Sequence, residues 1–211
     1  MVKKELVTNK FFHVIFFLVF LTMSATFAFA TPAVDFTPWF NFSNSTDLDG
    51  WQFTVNNEIV VDALGFYHDP TLTMISQHEI GIYNVSNQAL VVSGTVTPSD
   101  PYKNWFNWTN ITPTVLTAGQ EYAIVTLLHG EVRTWDPIGL TFNPNITFVK
   151  SVWTDGVHVL SFPTTSDGVI GHFGPNFNIA GAPVPEPATF FLLGSGLIGL
   201  VGYRRRKVIK S

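Results

Sequence analysis

The sequence predicts an all-β protein, an antiparallel β-sandwich or jelly roll, set between two apolar terminal segments that stand outside the fold. Three observations predict it. Residues 31–183 carry repeated short stretches in which apolar and polar residues alternate, the period of a half-buried strand. Gly, Asn, Asp and Pro punctuate those stretches at short intervals, each with its own backbone reason to turn. Nowhere between 31 and 183 does apolar i, i+3, i+4, i+7 spacing persist for three turns, so helices between strands, and with them an α/β scaffold, are not expected. At 153 residues this stretch is long enough for one domain with a real core.

The strands follow in order. Trp51, Phe53 and Val55 alternate with Gln52 and Thr54, and in Ile59–Tyr67 the expected single face is Val61, Ala63 and Gly65. His78–Tyr83 alternates through Ile80 and Ile82, and Ala89–Val96 is apolar and β-branched. A short strand over Asn104–Thr109 would put Trp105 and Asn107 on one face and Phe106 and Trp108 on the other. Glu121–Leu128, Ile146–Trp153, His158–Phe162 and Phe173–Ile179 complete about nine candidates. Turns are expected at Asp49-Gly50, Asn56-Asn57, Asp69-Pro70, Ser99-Asp100-Pro101, Ala118-Gly119, Asn143-Pro144, Asp155-Gly156 and Asp167-Gly168.

The two ends read as addresses. Lys3, Lys4 and Lys10 precede an apolar run from Phe11 to Met23, and small residues end at Ala28-Phe29-Ala30. These are the three parts of a secretory signal, residues 1–30, with Ala28 and Ala30 marking the cleavage site for signal peptidase. At the other end, Pro183-Val184-Pro185-Glu186-Pro187 leads into an uncharged run, Ala188–Tyr203, followed by Arg204, Arg205, Arg206 and Lys207. Alternate prolines hold the chain extended, so a helix is expected only beyond Pro187. Sixteen residues of helix span about 24 Å, short for a hydrocarbon core of about 30 Å. Tyr203 and snorkelling arginines cover part of the deficit. The basic residues at both ends favour the cytoplasmic side, which places residues 31–183 across the membrane from it.

Val184-Pro185-Glu186-Pro187, the apolar span Phe190–Tyr203 and the Arg204–Arg206 block resemble the PEP-CTERM sorting signal of bacterial envelope proteins. The resemblance implies recognition of Pro185, Glu186 and Pro187 by an exosortase-like membrane protease, with Arg204–Lys207 as the cytoplasmic stop, in a bacterium that makes exopolysaccharide. It implies a sorting signal over residues 184–211 with a single transmembrane helix. Gly50–Leu128 is similar to an uncharacterised β-sandwich domain that accompanies such signals. The likeness rests on Gly50-Trp51-Gln52-Phe53-Thr54-Val55, Ala63-Leu64-Gly65-Phe66-Tyr67, His78-Glu79-Ile80-Gly81-Ile82-Tyr83 and Leu116-Thr117-Ala118-Gly119-Gln120-Glu121-Tyr122. The loop His68–Leu72 departs from that domain's Gly- and Asp-rich pattern, so a loop metal site does not transfer, and no activity does either.

Composition excludes several chemistries. The chain has no cysteine, which removes disulfides, thiolate zinc sites and cysteine nucleophiles. Residues 31–183 hold 13 acids against Lys103, Arg133 and Lys150, a balance of −10, so no nucleic-acid partner is expected. His78-Glu79 begins like a zinc-protease motif, but position 82 is Ile and the context is a strand. No Gly-x-Ser-x-Gly elbow occurs. Glu58, Glu79, Glu121 and Glu131 supply carboxylates for glycoside hydrolysis, yet nothing in the sequence pairs them. No metal site and no cofactor is expected. Calcium is the softer case: Asp47, Asp49 and Asp69 offer hard oxygens near strand ends, and Asp at those places equally serves turns.

Trp39, Phe40, Phe42, Trp105, Trp108, Trp135 and Trp153 are an aromatic surplus that packs a core or stacks on sugar rings. The expectation is therefore an exported, non-enzymatic protein of the cell envelope or exopolysaccharide matrix, sorted by an exosortase, with a glycan as its ligand class. It would be anchored by the C-terminal helix before processing and then released to the cell surface or matrix. The alternative is a secreted carbohydrate-active enzyme on a jelly-roll scaffold.

Overall fold

The computed structural model describes residues 30–43, 47–74, 76–168 and 170–181. The signal segment through Phe29, the 184–211 segment and its expected helix lie outside them. Residues 29–180 form one compact unit. Its strands are β1 (Thr31–Pro32), β2 (Val34–Thr37), β3 (Phe40–Ser43), β4 (Leu48–Val55) and β5 (Ile59–Tyr67). Then follow β6 (His78–Asn84), β7 (Leu90–Val96), β8 (Tyr102–Lys103), β9 (Phe106–Leu116) and β10 (Glu121–Leu127). Last come β11 (Val132–Trp135), β12 (Ile138–Phe142), β13 (Ile146–Thr154), β14 (Thr165–Asp167) and β15 (Pro175–Ile179). The described residues contain no helix. The fold is all-β, as the alternation predicts.

Two curled antiparallel sheets face each other. One runs β1-β15-β5-β9-β8 and the other β14-β13-β4-β10-β6-β7. The chain crosses between them after β4, β5, β7, β9 and β14, and β7 packs on β9 and β5 while β10 packs on β15. Two ribbons, β2 with β12 and β3 with β11, complete the unit. Trp51, Phe53 and Val55 of β4 enter the core, as does Phe177 of β15; the Trp51 and Phe177 rings stack 5.9 Å apart and Phe53 lies 4.9 Å from Phe177. Each such ring, fully buried, stabilises the fold by roughly 1.5–3 kcal/mol relative to exposure. In β5, Ile59 and Val61 precede a register shift at Asp62 and Leu64 and Phe66 follow it, and all four join the main core. A bulge resets which residues face inward, so the expected single face of Val61, Ala63 and Gly65 is broken there. Gly65 instead lies under the Trp108 ring of β9, where an added Cβ would meet Cζ3 at 2.7 Å.

Four further expectations are corrected. Asp49-Gly50 is no turn but the interior of β4: a Cβ on Gly50 would stand 1.9 Å from the Ile124 carbonyl oxygen, so glycine is there for the close approach of β10. His158–Phe162 is not a strand. Its neighbourhood crosses the outer face of the second sheet, where Val157, Leu160 and Phe162 pack on Leu48, Tyr83, Val125, Leu127 and Val152. The Asn104–Thr109 strand starts only at Phe106 and continues to Leu116. Asn104 and Trp105 form the two-residue β8–β9 turn, at φ 51° and 67°, the geometry of a tight hairpin loop. Trp105 and Trp108 therefore do not alternate along one strand, and both are half-buried.

Candidate functional site

The chemistry-bearing side chains of the unit fall into two buried clusters and one open groove. The first cluster closes one end of the core. Asp49 of β4, Arg133 of β11 and His172 of the loop before β15 are 1%, 4% and 4% exposed. Arg133 Nε lies 2.8 Å from Asp49 Oδ2, and His172 Nδ1 lies 2.7 Å from Asp49 Oδ1. Arg133 Nη1 also contacts His172 Nδ1. The imidazole stacks on Trp153 at 5.3 Å and 6°, and the adjacent Gly171 carbonyl accepts a hydrogen bond from Ser151 Oγ at 2.7 Å. A carboxylate so enclosed needs its cation. This arrangement ties three distant chain segments together.

The second cluster surrounds His78, the first residue of β6 and fully buried. Its ring stacks on Phe66 at 3.5 Å and 3°. His78 Nδ1–H donates to the Leu127 carbonyl at 2.8 Å, and Nε2 lies 3.6 Å from Glu131 Oε1. The same Glu131 oxygen accepts the Ser76 backbone N–H at 2.7 Å. Burial lowers the His78 pKa below its ordinary 6.5; the Leu127 hydrogen bond and the Glu131 charge oppose that, and His129 reinforces it. Burial likewise raises the carboxyl of Asp62. His78-Glu79 is thus a buried strand histidine beside an exposed glutamate.

The groove lies on the outer face of the second sheet. Inward-facing Trp51 and Phe53 leave Gln52 pointing outward, between Ala123 of β10 and Lys150 of β13. Val85 and Gln88 of the β6–β7 turn and the stretch 162–166 form its walls, with Glu121 at its edge, around a volume of about 350 Å³. Gln52 is 5% exposed, and its Oε1 is buried with no hydrogen-bond partner.

The glutamates are not gathered. Glu121 opens β10 whereas Glu131 lies beyond its far end, and Glu58 and Glu79 are exposed. Nor are the three aspartates offered for calcium: Asp49 faces Arg133 and His172, Asp69 Oδ1 accepts the Thr71 N–H at 2.8 Å as a turn cap, and Asp47 Oδ1 lies 3.4 Å from Gly156 N. Among the described residues no group of three or more His, Cys, Asp or Glu converges as a metal site. Of the tryptophans, Trp39 is 70% exposed, Trp51 is buried and Trp153 is half-buried. The Asp49–Arg133–His172 cluster had no local signal in the sequence, because its members are 39 to 123 residues apart. Arg133, the one arginine between residues 31 and 183, was the only hint.

Residues 183–207 match the PEP-CTERM protein-sorting motif. This chain carries a PEP-CTERM sorting signal. The match takes in Pro185, Glu186 and Pro187, the apolar span, and Arg204–Lys207, all outside the described residues, as is Ala28; Ala30 is the first residue described. The PEP-CTERM signal makes the chain an exported exosortase substrate, held at the membrane during sorting. No curated protein matches the chain.

Proposed function

We propose that the chain is a non-enzymatic component of the cell envelope or the exopolysaccharide matrix, which holds its place by contact with glycan. Signal peptidase would cut after Ala30, leaving Thr31 first. An exosortase would then read Pro185-Glu186-Pro187 while the helix and Arg204–Lys207 hold the chain in the membrane, and processing would deliver residues 31–183 to the surface or matrix. The observation that carries this reading is the PEP-CTERM match at 183–207 behind an all-β unit at residues 29–180. The buried ionisable side chains support a structural rather than catalytic use, since Asp49, Arg133 and His172 bind one another and Glu131 binds Ser76 and faces His78. Incubating the full chain with the host's own polysaccharide tests the proposal. Retention on the polymer with no new reducing ends is expected. Release of reducing sugar, abolished by Glu121→Gln or Glu131→Gln, would replace it with a carbohydrate-active enzyme.

A further inference from the structure

We infer that the outer-face groove floored by Gln52 and Lys150 is a binding site for a neutral, hydroxyl-rich ligand, a glycan chain of a few sugar units. The proposal deepens the glycan contact above and rests on it. Gln52 carries the argument. A glutamine 5% exposed whose Oε1 is buried without a partner forgoes a hydrogen bond that buried polar groups nearly always make. That acceptor belongs to a side chain lining a 350 Å³ groove rather than the core, so a turn of its terminal amide would bring it to a ligand hydroxyl.

The remaining lining fixes the ligand class. Lys150 and Glu121 are its two charged residues and cancel, which selects against a strongly anionic or cationic ligand. Gln88, Thr165 and Ser166 add exposed amide and hydroxyl groups, each able to donate and accept. Half-buried Phe162 and Val85 give the apolar surface that the carbon face of a sugar ring covers. Pairing of β14 with β13, Ser166 opposite Val152, fixes one wall against the floor. The site is therefore built largely from strands, which keep their geometry without a ligand.

The test uses the full chain in a detergent without a sugar headgroup, titrated calorimetrically with cellohexaose, maltohexaose, mannohexaose and, for contrast, an alginate hexasaccharide. At least one neutral hexasaccharide is expected to bind and the alginate to bind more weakly. Gln52→Leu removes one hydrogen bond and is expected to weaken binding three- to tenfold. Because it also removes an unpartnered buried acceptor, its Tm without ligand is expected to equal or exceed the parent's, opposite to a residue whose role is structural. Lys150→Met is expected to weaken binding as well. If a neutral hexasaccharide binds and both variants bind it as the parent does, the groove is not the site, although the glycan reading stands. If the alginate alone binds, the ligand class assigned to the groove is wrong. If none binds, both the groove and the glycan reading fall.

Discussion

Replacing Arg133 by methionine would leave Asp49 buried with a single nearby partner, His172. Asp49 is 1% exposed and its Oδ2 is 2.8 Å from Arg133 Nε. At that separation the attraction is about 6 kcal/mol for an effective dielectric near 20. Most of it offsets the desolvation of both ions, so the measurable loss is that of stranding one buried charge, about 3–5 kcal/mol. Against a total stability of roughly 5–15 kcal/mol this is a large fraction. In a domain of this size it corresponds to a fall in Tm of roughly 6–20 °C. Thermal unfolding of the full chain, followed by near-ultraviolet circular dichroism, reads that shift. Arg133→Met combined with Asp49→Leu removes both charges, and the double variant is expected to be more stable than Arg133→Met alone. A loss below about 1 kcal/mol for Arg133→Met is what an exposed pair gives, and would refute the account of this cluster as a buried tie.

Acidification acts through His78. Because burial lowers its folded pKa below 6.5, the unfolded chain takes up the proton first as pH falls. Stability is complete above about 6.5 and declines below it; His78→Gln is expected to flatten the difference in Tm between pH 7.5 and 5.5, and an unchanged slope would dismiss His78 as the source. Gly65→Ala places a Cβ 2.7 Å from the Trp108 ring, so the indole must swing outward, and red-shifted tryptophan emission with a modest Tm loss is expected. Gly50→Ala meets backbone, the Ile124 carbonyl at 1.9 Å. That oxygen cannot rotate away, so this variant is expected to accumulate little folded protein while Gly65→Ala accumulates normally, measured as protease-resistant yield.

The strands legible in the sequence are those with one clear apolar face. Trp51, Phe53 and Val55 against Gln52 and Thr54 located β4 and its inward side. The same logic hid what depends on distant partners. β2 and β12 are short, and their pairing of Asp35 with Thr141 is set by packing rather than by local pattern. β9 outruns its expected end at Thr109, and Pro113, which has no N–H for the ladder, falls in the register shift opposite Asp62. β10 is buried on both faces, since the segment around Val157–Phe162 covers the side that alternation alone would leave wet. Leu160 and Phe162 of the expected His158–Phe162 strand, together with Val157, act as that cover. The groove was invisible for a related reason: Gln88, Lys150 and Ser166 come from three separate segments, brought together by sheet order.

On the proposed reading, Glu186 is recognised at the membrane. Expressing the parent chain and Glu186→Ala in the same exosortase-bearing strain, and comparing their C-terminal processing by immunoblot and mass spectrometry, tests this directly. The parent is expected to lose its Arg204–Lys207 tail while Glu186→Ala accumulates in the membrane at full precursor length; equal shortening of the two chains would contradict recognition of Glu186.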